Sequence, residues 1–148
     1  MTRLNHGVWL AICDGGKAML VENVGEADCP SLVIREVMEQ HNPPTHLQGS
    51  APPGRAFSGA RGRRAAMAQT DFHDQAEREF LRHFAGRIAL GVEEKKIPAL
   101  ILAAPPRALG MLRPELTDKT RQILVSELAH DYVKRPLYEI EMLLREEA

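Results

Sequence analysis

The apolar residues of this chain fall first into short blocks and then into stripes. Val8, Trp9, Leu10, Ala11, Ile12 and Cys13 form an unbroken run of strand length, the pattern of a central strand buried on both faces. The run stops at Asp14-Gly15-Gly16, where Asp-Gly predicts positive φ angles and a tight hairpin. A second strand returns over Ala18 to Val24, with Met19 and Val21 alternating against Leu20 and Glu22. Gly25 to Ser31 make a turn. Leu32 to Gln40 then set Leu32, Ile34 and Met38 against Val33, Arg35, Val37 and Glu39, which reads as a third, outer strand of an antiparallel meander.

Residues 41–70 change character. They hold Pro43, Pro44, Pro52, Pro53, Gly49, Gly54, Gly59 and Gly62 with few large apolar side chains, so a long Pro/Gly/Arg-rich loop is expected. Loops beyond about 12–15 residues in compact domains are usually functional or disordered. Periodicity resumes at Asp71. Phe72, Ala76, Phe80, Phe84 and Ile88 recur every fourth residue, widened by Leu81 and Ala85, which predicts an amphipathic helix. Asp71 suits its N-cap, with Asp74 and Glu77 in the first turns.

Pro98 to Ala104 is a further buried strand, closed by Pro105-Pro106. A helical stretch follows, breaks at Pro114 and resumes around Thr117 to Val125. A short strand falls within Ile123 to Val133, whose first half fits a helix equally well. Pro136 opens a last helix with Leu137, Ile140, Leu143 and Leu144 inward. The order is βββαβαβα. A helix between two strands favours a parallel crossover, so the expected class is α/β, with a mixed five-stranded sheet carrying helices on its faces. That is the connectivity of the ribonuclease H-like fold, whose strand order is 3-2-1-4-5. A length of 148 residues fits one such domain over 1–148.

The net charge of −1 argues against a protein that coats nucleic acid generally, yet it hides an asymmetry. Residues 41–70 contain Arg55, Arg61, Arg63 and Arg64 and no acid, so the segment is +4 and the rest is −5. A local patch of this kind suits a specific anionic partner. No apolar run reaches the ~18 residues of a membrane span, and Val8 to Cys13 is too short for an export signal. The expected setting is cytoplasmic, with no membrane partner. Cys13 and Cys29 show neither metal-ligand spacing nor a disulfide framework, and reduced thiols are expected.

Candidate chemistry gathers at three places. A flexible Gly-containing backbone can approach a phosphate chain, and guanidinium forks pair with phosphate oxygens. Arg55, Arg61, Arg63 and Arg64 are therefore nucleic-acid-binding candidates, against the plainer reading of a solvated loop. Only Phe57 is at hand for base stacking, so sequence-specific reading is not indicated. Asp14-Gly15-Gly16-Lys17 sits where nucleases of this fold place a metal ligand and where phosphate-gripping hairpins occur. The fourth strand ends in Ala103-Ala104-Pro105-Pro106 with no second carboxylate, so the turn role is the simpler one. His73 and Glu77, four apart, share a helix face and with Asp14 make an alternative metal-dependent hydrolase or nuclease site. His41, His46, His83 and His130 lack ligand spacing. If the first and fourth strands are parallel neighbours, Asp14, His73 and Arg107 converge on one sheet edge as a possible pocket. No catalytic residue and no cofactor is assigned.

Five stretches together resemble a bacterial family, the host-attachment proteins. They are Val8-Trp9-Leu10 with Asp14-Gly15, His41-Asn42-Pro43-Pro44, Pro53-Gly54-Arg55-Ala56-Phe57, Thr70-Asp71-Phe72-His73, and Ala104-Pro105-Pro106-Arg107-Ala108-Leu109-Gly110. They run in the family's order over nearly the whole chain. The family is similar in fold to the middle domain of archaeal and eukaryotic class 1 peptide-release factors, where a Gly-Gly-Gln loop joins the third strand to the first helix. The corresponding stretch here, Ser58-Gly59-Ala60-Arg61-Gly62-Arg63-Arg64-Ala65-Ala66, has no Gly-Gly-Gln. That departure argues against peptidyl-tRNA hydrolysis and leaves contact with ribosomal RNA or tRNA open. A protein-interaction module acting indirectly on host attachment is the third reading.

Overall fold

A computed structural model describes residues 4–40 and 59–147, with side chains over 4–40 and 72–145. Arg55, Phe57, His41 and His46 lie outside the described residues, as do the side chains of Arg61, Arg63 and Arg64. The elements are β1 (Trp9–Cys13), β2 (Lys17–Asn23), β3 (Leu32–Glu39), α1 (Gly59–Glu93), β4 (Leu100–Ala103), α2 (Pro106–Leu112), a 3-10 turn (Arg113–Glu115), α3 (Asp118–Gln122), β5 (Leu124–Leu128) and α4 (Leu137–Glu147).

The sheet order is β3-β2-β1-β4-β5, with β1 antiparallel to β2 and parallel to β4. β3 pairs antiparallel with β2, and β5 parallel with β4. This is the mixed, ribonuclease H-like order expected from the sequence. β1 is buried along its whole length, because each face of the sheet carries a helical layer. On one face Ala11, Leu20 and Leu102 pack under Phe80, Leu81, Phe84 and Ile88 of α1 and Leu109 and Leu112 of α2. On the other, Leu10, Ile12, Val21 and Ile101 meet Tyr132, Val133, Ile140 and Leu144. At ~1.5–3 kcal/mol for each large apolar side chain, the four from α1 contribute about 6–12 kcal/mol to docking this helix. Among the described residues no helix is long and apolar enough to cross a membrane.

Four local expectations are corrected. The first concerns α1, which begins at Gly59 and not at Asp71. Residues 59–70 are thus helical, and Asp71, Asp74 and Glu77 lie in the helix interior. That stretch carries Ala60, Ala65, Ala66, Ala68, Met67, Gln69 and three arginines, all strong helix formers, but no apolar stripe. Its helicity therefore left no mark in the hydrophobic pattern. The second is Phe72, which heads the predicted inward stripe yet stays half exposed.

The third correction is the facing of β3. Its register with β2 slips between Leu20 and Val21, leaving Arg35 as an extra residue. One inserted residue reverses the alternation. Leu32, Ile34, Val37 and Glu39 therefore share the α4 face, while Glu36 and Met38 lie on the α1 face. The fourth is the β1–β2 hairpin. Among the described residues only Gly7 and Lys95 have positive φ, so Gly15 and Gly16 do not make the expected mirror-image turn. The Asp14 side chain closes the turn instead: Oδ1 accepts from the backbone N–H of Gly16 at 2.8 Å and of Lys17 at 2.7 Å.

Candidate functional site

The parallel pairing of β1 with β4 carries their C-terminal ends to one edge of the sheet. The β1–β2 hairpin leaves from the first, and α2 starts immediately after the second. α1 crosses the same edge. Three segments far apart in sequence therefore meet here, at the strand ends where open α/β sheets tend to bind ligands.

Arg107, in the first turn of α2, reaches across to α1. Its Nη2 pairs with Asp74 and lies 3.6 Å from Glu77 Oε2. Glu77 in turn covers Gly15: a Cβ at that glycine would stand 2.7 Å from Glu77 Cδ. A side chain at this position would have to push the flexible end of Glu77 aside. Gln40 fastens the hairpin from the other side, donating from Nε2 to the Gly15 carbonyl at 2.9 Å and from its backbone N–H to the Gly16 carbonyl at 2.8 Å.

Of the predicted pocket residues, the structure brings Arg107 together with Asp74 and Glu77 and sets Glu77 against the Asp14-Gly15 turn. Asp14 is engaged in closing its own turn. His73 is partly buried and meets the Phe72 ring edge-on at 6.3 Å. The Arg107 guanidinium faces two carboxylates, so the cluster is net negative and works as a clasp between α1, α2 and the hairpin. Among the described residues no group of three or more His, Cys, Asp or Glu could hold a metal ion. The alternative metal site at Asp14, His73 and Glu77 is therefore not assembled: Asp14 points its carboxylate back at its own backbone and Glu77 is drawn to Arg107.

Cys13 closes β1 inside the core. Burial, and then the neighbouring Asp14 charge, push its thiol up to about 12. A thiol held protonated is inert as a nucleophile or ligand. Cys29 is exposed, and neither cysteine is in a disulfide. His130 stacks on Tyr132 at 5.6 Å.

An opening beside this cluster, sharing Gln40 with it, was not legible in the sequence. It has a volume of about 700 Å³ and lies between the end of β3 and the middle of α1, bordered by Met38, Gln40, Ala76, Glu79, Phe80 and His83. It exists because α1 docks over the middle of the sheet and leaves the β3 edge uncovered. The only hint of it in the sequence is that His83 and Glu79 flank the buried stripe of α1.

Several charges elsewhere are paired. Arg35 bonds Glu22, Arg82 meets Glu115, Arg87 bonds Glu36, and Arg113 holds Glu127. The acid-free stretch from 41 to 70 is where positive charge accumulates.

Set beside known proteins, the chain gives no match among curated sequences. A solved structure of Dom34 from S. cerevisiae, described as a translation termination-like factor involved in RNA quality control pathways and interacting with Hbs1, aligns with TM-score 0.42 and 10% identity. The alignment covers 95% of this chain and 36% of that one, so the chain spans about a third of Dom34. The family model described as "Protein required for attachment to host cells" matches residues 9–144. The match takes in every strand and the first eight of the eleven residues of the last helix, and the chain belongs to that family.

Proposed function

We propose that this chain is a non-catalytic RNA-binding domain whose contact surface is the basic stretch entering and beginning α1, with ribosomal RNA or tRNA as the partner class. The family description names an outcome at the level of the cell and no reaction. One observation carries the reading: Arg61, Arg63 and Arg64 occupy the first two turns of a helix, within a 30-residue segment that has no acid. A helix N-terminus carries partial positive charge and free N–H groups that favour phosphate. Arg55, just upstream, adds a fourth guanidinium. Arg35, Arg82, Arg87, Arg107, Arg113 and Arg135 of the folded body face carboxylates, so positive charge gathers here while the rest of the chain is net negative.

Such binding is read through its salt dependence. Three phosphate contacts on a single strand, from Arg55 and two of the three helical arginines, give a slope of log K against log salt of about −2, at ~0.7 per contact. Co-sedimentation with ribosomes at low and moderate salt, and titration of a labelled single-stranded RNA, measure it. Arg61, Arg63 and Arg64 changed together to Ala should leave a slope near −0.7 and abolish ribosome retention. Retention that survives this triple change, or no RNA binding by the unaltered protein at low salt, overturns the proposal.

A further inference from the structure

We propose that two copies of this chain pair through the open edge of β3, in an antiparallel register centred between Arg35 and Glu36. β3 ends the sheet, so one side of its backbone has no strand partner among the described residues. The phase of its hydrogen bonding to β2 is fixed at both ends. Val24 N–H donates to the Ser31 carbonyl, and Gln40 N–H to the Gly16 carbonyl. Antiparallel pairing alternates inward and outward groups, and the extra residue at Arg35 resets the count. Leu32, Ile34, Val37 and Glu39 therefore turn their N–H and C=O groups away from β2. Leu32 confirms the phase, because its N–H leaves the sheet to meet the Glu141 carboxylate at 2.8 Å.

Only one centre allows a two-fold pairing along the whole of this edge. With the dyad between Arg35 and Glu36, Ile34 faces Val37 of the second copy and both present outward backbone groups. Both also lie on the α4 face, which the reversal at Arg35 makes possible. An unbulged strand would put them on opposite faces and forbid this register. Val33 faces Met38 in the same way on the α1 side. Arg35 then stands opposite Glu36 of the second copy, and the reverse. Each is already in an ion pair, Arg35 with Glu22 and Glu36 with Arg87, so the pairing extends these into a line of alternating charge through the dyad.

The α4 face supplies the apolar part. Ile34 and Val37 are 44% and 49% exposed, and Tyr138 and Met142 are 65% and 59% exposed. On α4, Ile140 and Leu144 point to the core while Glu141 reaches the start of β3. Helical spacing puts Tyr138, one turn before Glu141, toward that same β3 side, while Met142 points away from the sheet. Two copies therefore bring six apolar side chains, Ile34, Val37 and Tyr138 from each, together around the dyad. Edge strands are normally guarded against such pairing by charge and bulges; here the charge and the bulge are self-complementary in one register.

The full chain is examined by sedimentation equilibrium across a concentration series, under reducing conditions because Cys29 is exposed. A reversible dimer is expected. Arg35→Glu places like charges across both symmetric positions and should weaken it about tenfold, and Arg35→Glu with Glu36→Arg should restore it. Val37→Lys should abolish it. Circular dichroism and urea melts of each variant establish that the fold is intact. A monomer at all concentrations overturns the proposal, and so does a dimer indifferent to Val37→Lys or one that the charge swap fails to rescue.

Discussion

Asn23 is a fully buried polar side chain in β2, and the structure uses all of its amide. Nδ2 donates to the carbonyls of Leu4 at 2.8 Å and Asn5 at 3.2 Å, while Oδ1 accepts from the N–H groups of Gly25 at 3.0 Å and Ser31 at 2.9 Å. It thereby ties the N-terminal segment, the β2–β3 turn and the start of β3 together. Asn23→Ala leaves the Leu4 carbonyl buried without a donor, costing ~1–3 kcal/mol, and removes three part-buried bonds at ~0.5–1.5 kcal/mol each. Water reaching the turn recovers part of that, so a loss of about 3–5 kcal/mol is expected. Asn23→Asp is the sharper probe. It retains both acceptor bonds but sets a carboxylate oxygen against two carbonyls in a buried site, which raises its folded-state pKa above the unfolded value of about 3.9. The stability tied to the protonated acid is then fully present below pH ~3.9 and is lost as pH rises through the folded-state value, at about 1.4 kcal/mol per unit. Urea denaturation of the native protein and both variants, run at pH 4 and pH 7, measures this. If Asn23→Asp matches the native protein at pH 7, the donor role of Nδ2 is refuted and the anchoring argument fails with it.

Other parts of the structure make further testable statements. Gly15→Ala meets the flexible end of the Glu77 side chain and should cost no more than about 1 kcal/mol, the low end of overpacking, because that end can swing aside; a loss near ~3 kcal/mol that vanishes in a Glu77→Ala background refutes this. Arg107→Ala removes a solvent-exposed clasp and should cost under about 1 kcal/mol, with RNA binding unchanged. Lys95 holds φ +62 just past the end of α1, so Lys95→Gly should raise stability by ~0.5–1 kcal/mol in thermal melts. One thiol per chain, Cys29, should react with a disulfide reagent in the native state at pH 8–9, and Cys13 only after denaturation; prompt reaction of both contradicts the burial of Cys13.

The strands were legible because burial on two faces is itself a sequence pattern. β1 and β4 read as unbroken apolar runs, and both proved central. The convergence of the Asp14 turn, Arg107 and α1 followed from parallel pairing of those two strands. What stayed hidden depended on groups far apart in sequence or on backbone detail. The slip at Arg35 has no marker in Leu32 to Glu39, since Val33, Ile34, Val37 and Met38 suit either face. Gly15 looked like a φ requirement, and what lies against it is the end of a side chain sixty-two residues away. The groove beside Met38 and Phe80 arises from where α1 docks, which no local pattern records. The β5 region was ambiguous for a physical reason as well, because Leu124 to Leu128 is an edge strand only partly covered.

That α1 starts at Gly59 also alters what its arginines can do. Along a helix rising ~1.5 Å per residue, Gly59 lies about 25 Å from Ala76, the first core position of α1. From Ala76 onward α1 is held by apolar burial, while the sequence of residues 59–70 offers intrinsic helix propensity and no apolar stripe. At ~100° per residue, Arg61 and Arg64 stand about 60° apart, Arg63 and Arg64 about 100°, and Arg61 and Arg63 about 160°. Only the first pair shares a face well enough to track one phosphate run. In a loop the three arginines would be interchangeable. In a helix, Arg61→Ala with Arg64→Ala should lower the salt slope of RNA binding by about 1.4, at ~0.7 per phosphate, and Arg61→Ala with Arg63→Ala by about half as much. Equal losses from every pair would mean that the arginines meet RNA from a stretch that is not helical when bound.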